Sequence, residues 1–209
     1  LIHSTAYVGP DVKLGNNVSI GHHSVITGKV SIGSNTSIGA FASIGEPAQH
    51  RSEFAGGEII IGDNNIIREF VTIHQPINSI TLIGNHNYIM AYAHISHDTI
   101  IEDHVTISNA VQLGGHCRVM RGANIGLGAL VHQHQIIGAY SMVGMGSIIT
   151  KHLSIKPGRI YAGSPARFLK FNTVGLDRNK ISVEELQGYE DRFYLLREAL
   201  SDIYPIAEP

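Results

Sequence analysis

An aliphatic residue returns every six positions along most of this chain. Ile2, Val8, Leu14, Ile20, Ile26, Ile32, Ile38 and Ile44 open the series, Ile61, Ile67 and Ile73 resume it, and a third run goes unbroken from Ile83 to Ile155. All 24 positions hold Ile, Leu or Val. Glycine often follows, as at Gly15, Gly33, Gly84 and Gly114, and the fourth place after is usually small or β-branched, as at Val18, Thr36, Ala42 and Val111. A period of six matches neither the 3.6 of an α-helix nor the 2 of a continuous strand. It suits short flat strands joined by tight corners, each strand pointing one aliphatic side chain inward. Three such hexads close a triangular coil, and stacked coils bury a continuous aliphatic column.

The expected fold is therefore all-β, a parallel β-helix of about eight coils, roughly 40 Å tall at about 4.8 Å per coil. Residues 46–60 and 75–82 break the register and are expected to protrude as loops, the places where a rigid scaffold often carries function. The prism is assigned to residues 1–160 and a C-terminal extension to 161–209. Within the extension, Ser182 and Glu185 have the spacing of a capping box. Leu186, Tyr189, Phe193, Leu196, Leu200 and Ile203 form one apolar stripe, which predicts a helix over about 183–203.

Composition narrows the function classes. A net charge of −2 over 209 residues argues against a general nucleic-acid binder. One cysteine, Cys117, allows no internal disulfide, which suits a reducing compartment. No apolar run approaches the roughly 18 residues of a membrane span. The first residues lack the basic-then-apolar pattern of a signal peptide, so a cytoplasmic location is expected.

The repeat also gives each polar residue an address. In AYAHISHD, His97 and Asp98 fall in the outward half of their hexad and His94 closes the preceding one at a corner. One coil above His97 lies Gly115, and above that Gln133. Above Asp98 come His116 and then His134, with His132 alongside. His22, His23, His86 and His104 are isolated outward histidines and are read as surface residues. Five histidines with an aspartate on one patch are read as a site. A histidine near its ordinary pKa can take a proton from a hydroxyl or amine, and a carboxylate can fix its tautomer. A backbone N–H at Gly115 could stabilise an oxyanion. With no G-x-S-x-G elbow, and with Cys117 at a packed corner position, acyl transfer without a covalent enzyme intermediate is the favoured chemistry.

At these residues the chain resembles the UDP-N-acetylglucosamine O-acyltransferases that begin lipid A biosynthesis. The similar segments are FASIGEPAQHRSEFAGGE, IREFVTIHQP, AYAHISHD, NAVQLGGH, VHQHQIIGAYSMVG and FNTVGL. The resemblance implies a left-handed coil, a homotrimer with sites between neighbouring prisms, and a 3-hydroxyacyl donor on the phosphopantetheine of acyl carrier protein. It implies no other cofactor and no metal. It makes His97 the general base, Asp98 its partner and Gly115 the oxyanion donor. Gln49, His74, His94 and His116 are placed by it near the sugar or its phosphates, and His132, Gln133 and Asn172 near the nucleotide, where Arg178 is the retained arginine.

Three departures fall at the periphery: His50 where relatives usually carry Asp, Val174 for an acidic residue, and Asn179 for a second arginine. Met145 stands where glycine is frequent and is expected to shorten the acyl groove. Residues 148–176 contain Lys151, Lys156, Arg159, Arg167 and Lys170 and no acid, a candidate dock for the acidic carrier protein. Three other readings stay open: a related sugar-nucleotide N- or O-acyltransferase of polysaccharide synthesis, a zinc enzyme of the γ-carbonic-anhydrase type, and an inactive scaffold, which the intact His97–Asp98–Gly115 set disfavours.

Overall fold

The computed structural model describes residues 1–51, 56–78, 80–151, 153 and 155–203. Among these, short strands stack into three sheets that form the sides of a triangular prism. Eight strands run from Tyr7–Val8 to Ile148–Ile149, seven from Val12–Leu14 to Ile136–Ile137, and nine from Ser19–Ile20 to Ala166–Phe171. Pairing is parallel throughout, except where Ala166–Phe171 turns back against Arg159–Gly163. The hexad aliphatics meet along the axis, and from Ile20 to Ile155 every one of them is buried. Burying each such side chain is worth about 1.5–3 kcal/mol, and no coil has this interior without its neighbours.

The corners require backbone that most residues avoid. Asn17, Asn35, Asn64, His86 and His104 carry φ of +57 or +58 at one corner, and Phe41, Phe70, Tyr92 and Ala110 carry φ of +56 to +63 at another. Polar and aromatic side chains at these left-handed positions stack coil upon coil. Phe70 and Tyr92, for example, lie 4.8 Å apart and nearly parallel.

The interruptions are shorter than the hexad count implies. Glu46 still belongs to the strand Ser43–Glu46, and pairing resumes at Glu58–Ile61 and Ile80–Ile83. These last two strands pair residue for residue, Glu58 with Ile80 through Ile61 with Ile83, because their β-branched side chains extend the sheet before the hexad proper restarts. Among the described residues, 47–51, 56–57 and 75–78 lie between these strands; residues 52–55 and Ser79 lie outside the described residues.

At the far end, strand Arg159–Gly163 pairs with Met142–Val143 and so continues the prism across residue 160. A short helix α1, Thr173–Arg178, then precedes α2, Val183–Ile203. The capping box forms reciprocally: the Ser182 N–H donates to Glu185 Oε2 at 2.9 Å and the Glu185 N–H to Ser182 Oγ at 3.1 Å. The apolar stripe of α2 lies on the prism. Phe193 is fully buried among Met120, Ile136, Ala139 and Tyr140, with Tyr189, Leu196 and Leu200 beside it. Arg192 pairs with Glu102, and Arg159 with Glu190. Among the described residues, no helix is long and apolar enough to cross a membrane.

Candidate active site

His94 pairs with Gln112 and Ile95 with Leu113, which continues to set Gly115 over His97 and His116 over Asp98. The His116 N–H donates to the His97 carbonyl at 3.0 Å, and the His134 N–H to the Gly115 carbonyl at 2.9 Å. Asp98, His116 and His134 occupy the third left-handed corner, with φ of +56, +60 and +63. In an extended strand, neighbouring side chains point to opposite faces. The left-handed turn at Asp98 brings its carboxylate back beside the preceding ring, and His97 Nδ1 lies 2.9 Å from Asp98 Oδ2.

The carboxylate is fixed from behind. The Ile77 N–H donates to Oδ2 at 2.8 Å and the Asn78 N–H to Oδ1 at 3.0 Å, while the Asp98 N–H donates to Thr81 Oγ1. Ile77 and Asn78 come from the second excursion and Thr81 from the strand that follows it, and none had a signal in the sequence beyond the interruption of the hexads. Burial by itself raises the Asp98 pKa. The Ile77 N–H, the His97 ring, the Asn78 N–H and the nearby His116 outweigh that and hold it below the ordinary carboxylate value. An ionised carboxylate only accepts, so in the neutral ring His97 Nδ1 carries the hydrogen and Nε2 keeps its lone pair. His97 was expected to point outward, yet it is only 6% exposed. The rings of His50 and His116 stand edge-on to it, at 5.5 Å and 5.1 Å.

A side chain at Gly115 would crowd the imidazole below it. A Cβ there would meet the His97 ring, 2.6 Å from Nε2 and 3.0 Å from Nδ1. Its own N–H makes no hydrogen bond among the described residues. His116 Nε2 is 4.0 Å from Asp98 Oδ2 and its ring stacks on His134 at 4.6 Å. Burial lowers the His116 pKa, Asp98 opposes this, and His97 and His50 add to it. Burial and then His116 push His134 down to about 4.

Of the remaining sequence-derived residues, His94 lies within strand His94–Ile95 rather than at a corner, because Tyr92 takes the left-handed turn. Its Nδ1 is hydrogen-bonded to Thr72 Oγ1 at 2.7 Å, and the buried His74 ring meets it edge-on at 4.9 Å. Burial, followed by His74 and His97, lowers the His94 pKa to about 4. His74 and the adjacent Gln75 are buried, and among the described residues His74 Nδ1 and both Gln75 amide atoms have no hydrogen-bond partner. Gln75 was not singled out from the sequence. Gln49, His132 and Gln133 are exposed. His94 and His132 line a groove of about 390 Å³ along with Gln112, Leu130 and Ile148.

Asn172 and Arg178 are not brought to this corner. They line a second cavity of about 330 Å³ with Tyr140, Met142, Val174 and Asn179. Both ends of the Asn172 amide are engaged, Nδ2 donating to the Tyr140 carbonyl and Oδ1 accepting from the Gly175 N–H that starts α1. Met145 is 73% exposed and lines neither space. In the basic segment, Arg159 is occupied by Glu190 and Phe171, and Lys156 lies over Tyr194, so Lys151, Arg167 and Lys170 are the more available charges.

Fold and site together define a hexapeptide-repeat β-helix that carries a carboxylate-held imidazole beneath a glycine. The family model for the bacterial transferase hexapeptide (six repeats) matches residues 1–28 and 80–115. A curated relative from Thiobacillus denitrificans, an acyl-[acyl-carrier-protein]--UDP-N-acetylglucosamine O-acyltransferase, is 37% identical over 93% of this chain and 83% of its own length. The UDP-N-acetylglucosamine acyltransferase from Campylobacter jejuni superposes with a TM-score of 0.78 at 28% identity, covering 92% of this chain and 81% of that one. LpxA from Acinetobacter baumannii gives 0.73 at 28% identity, covering 99% and 91%. The chain belongs to the acyl-[acyl-carrier-protein]--UDP-N-acetylglucosamine O-acyltransferase family, left-handed β-helix proteins built on hexapeptide repeats.

Proposed function

We propose that the chain moves a 3-hydroxyacyl group from acyl carrier protein to the sugar 3-hydroxyl of UDP-N-acetylglucosamine, the first step of lipid A-type biosynthesis. The observation that carries this reading is the buried His97–Asp98 pair under Gly115 in a member of this family. His97 Nε2 takes the hydroxyl proton as the oxygen attacks the thioester carbonyl carbon. The Gly115 N–H donates to the resulting oxyanion. Collapse breaks the C–S bond, and the leaving thiolate takes the proton back from His97. Asp98 stabilises the imidazolium between these steps and holds its orientation. His74, His94, His116 and Gln49 are read as sugar-side contacts, and no cofactor of the enzyme's own takes part.

His132, Gln133, Asn172 and Arg178 are read as nucleotide contacts. The cavity at Asn172 and Arg178 is separate from the His97 corner within one chain, and a homotrimer would bring the two together across a subunit boundary. Met145, exposed in one chain, would there meet the acyl chain. Lys151, Arg167 and Lys170 are the carrier-protein dock in this reading. A cytoplasmic setting suits a chain with a single buried thiol.

The test is mass spectrometry of products from UDP-N-acetylglucosamine and a series of 3-hydroxyacyl carrier proteins, with His97→Ala alongside. An ester product that disappears in the variant is expected. No product from any UDP-sugar, or full activity in His97→Ala, would overturn the reading.

A further inference from the structure

One nitrogen from each of His97 and His116 and one carboxylate oxygen of Asp98 lie within 4.8 Å of one another. Among the described residues this is the one group of three or more His, Cys, Asp or Glu side chains placed to share an ion. The Asp98 carboxylate is pinned by two backbone N–H groups, so it is already oriented. Two imidazoles and a carboxylate are a donor set that suits zinc. Metal–ligand bonds of about 2.0–2.2 Å place tetrahedral ligands about 3.3 Å apart. The separations of 2.9 Å from His97 Nδ1 to Asp98 Oδ2 and 4.0 Å from Asp98 Oδ2 to His116 Nε2 fall on either side of that value. All three ligand atoms lie within 4.8 Å of one another, so the site closes by drawing the two rings toward the fixed carboxylate.

We propose that His97, Asp98 and His116 bind a divalent transition metal of the Zn²⁺ or Co²⁺ class, and that the bound metal inhibits acyl transfer by capturing the His97–Asp98 pair. Mg²⁺ and Ca²⁺ prefer oxygen ligands and are poor occupants of a site with two imidazoles. The inhibition rests on the function proposed above, whereas the binding does not. His86 and His104 stack at 4.9 Å on another corner and make the natural control, since they are two imidazoles without a carboxylate in the group.

Chelator-treated full-length chain is titrated with Co²⁺, read by visible absorption, and with Zn²⁺, read by calorimetry, both without substrate. One metal per chain is expected. Binding should weaken at least tenfold in Asp98→Asn and in His116→Gln, and stay unchanged in the His86→Gln/His104→Gln double variant, with circular dichroism reporting folding in each. Zn²⁺ should inhibit competitively with the UDP-sugar, and chelator should restore activity. No saturable binding, or binding undiminished in folded Asp98→Asn and His116→Gln, would overturn the site. Metal binding in a protein that acylates no UDP-sugar would support the site and sink the acyltransferase reading, so the two fail separately.

Discussion

At the residue scale, position 115 is constrained by the ring beneath it. Its Cβ would share space with the His97 ring, so Gly115→Ala is expected to displace the imidazole while leaving the aliphatic column intact. Steady-state kinetics should show a loss of about 10²-fold or more in kcat, with little change in Tm. If His97 is the base of the proposed mechanism, His97→Ala should cost about 10²–10⁴-fold. The placement of Gly115 over His97 and of His116 over Asp98 was legible from the hexad address, because a strict repeat converts sequence distance into vertical position. Two things were not. The depth of His97 depends on His50, from the first excursion, and His116, from the next coil. The pinning of Asp98 by Ile77 and Asn78 uses backbone N–H groups, which every non-proline residue possesses and no motif reveals.

At the scale of elements, the strand carrying His94 and the corner carrying His134 hold imidazoles that burial keeps uncharged, each with a folded pKa of about 4. Unfolded, both return to about 6.5 and bind protons more readily. Their contribution to stability is therefore present above about pH 6.5 and is lost as pH falls toward about 4. Thermal denaturation across that range should show a falling Tm, and a shallower fall in His94→Gln. Helix α2 depends on its cap and on one anchor. Ser182→Ala should cost about 1 kcal/mol. Phe193→Ala, which empties a fully buried position, should cost about 3–5 kcal/mol by denaturant titration. Its apolar stripe and cap were readable because helical periodicity is local. Helix α1 was not, since six residues are too few to show a period, and Asn172 reads equally well as a cap or a ligand contact until its partners are known.

At the scale of the whole molecule, the prism is a sum of coil-to-coil contacts, and Ile95→Ala in the middle of the column should cost about 2–5 kcal/mol. Asn172, Arg178 and Met145 lie apart from His97 within one chain, so the proposed function turns on assembly. If a trimer completes the site, Met145→Gly should shift donor preference toward longer chains, each added buried CH₂ being worth about 0.8 kcal/mol, or about fourfold. An unchanged preference would remove Met145 from the groove. The sequence by itself determined the period, hence the prism, its aliphatic axis, and the coil on which each histidine sits, because a six-residue repeat leaves no other way to bury its apolar residues. Only the tertiary structure decided which side chains face each other around a corner. That depends on left-handed turns at Asp98 and its neighbours, and on an excursion whose backbone hydrogen bonds hold the carboxylate in place.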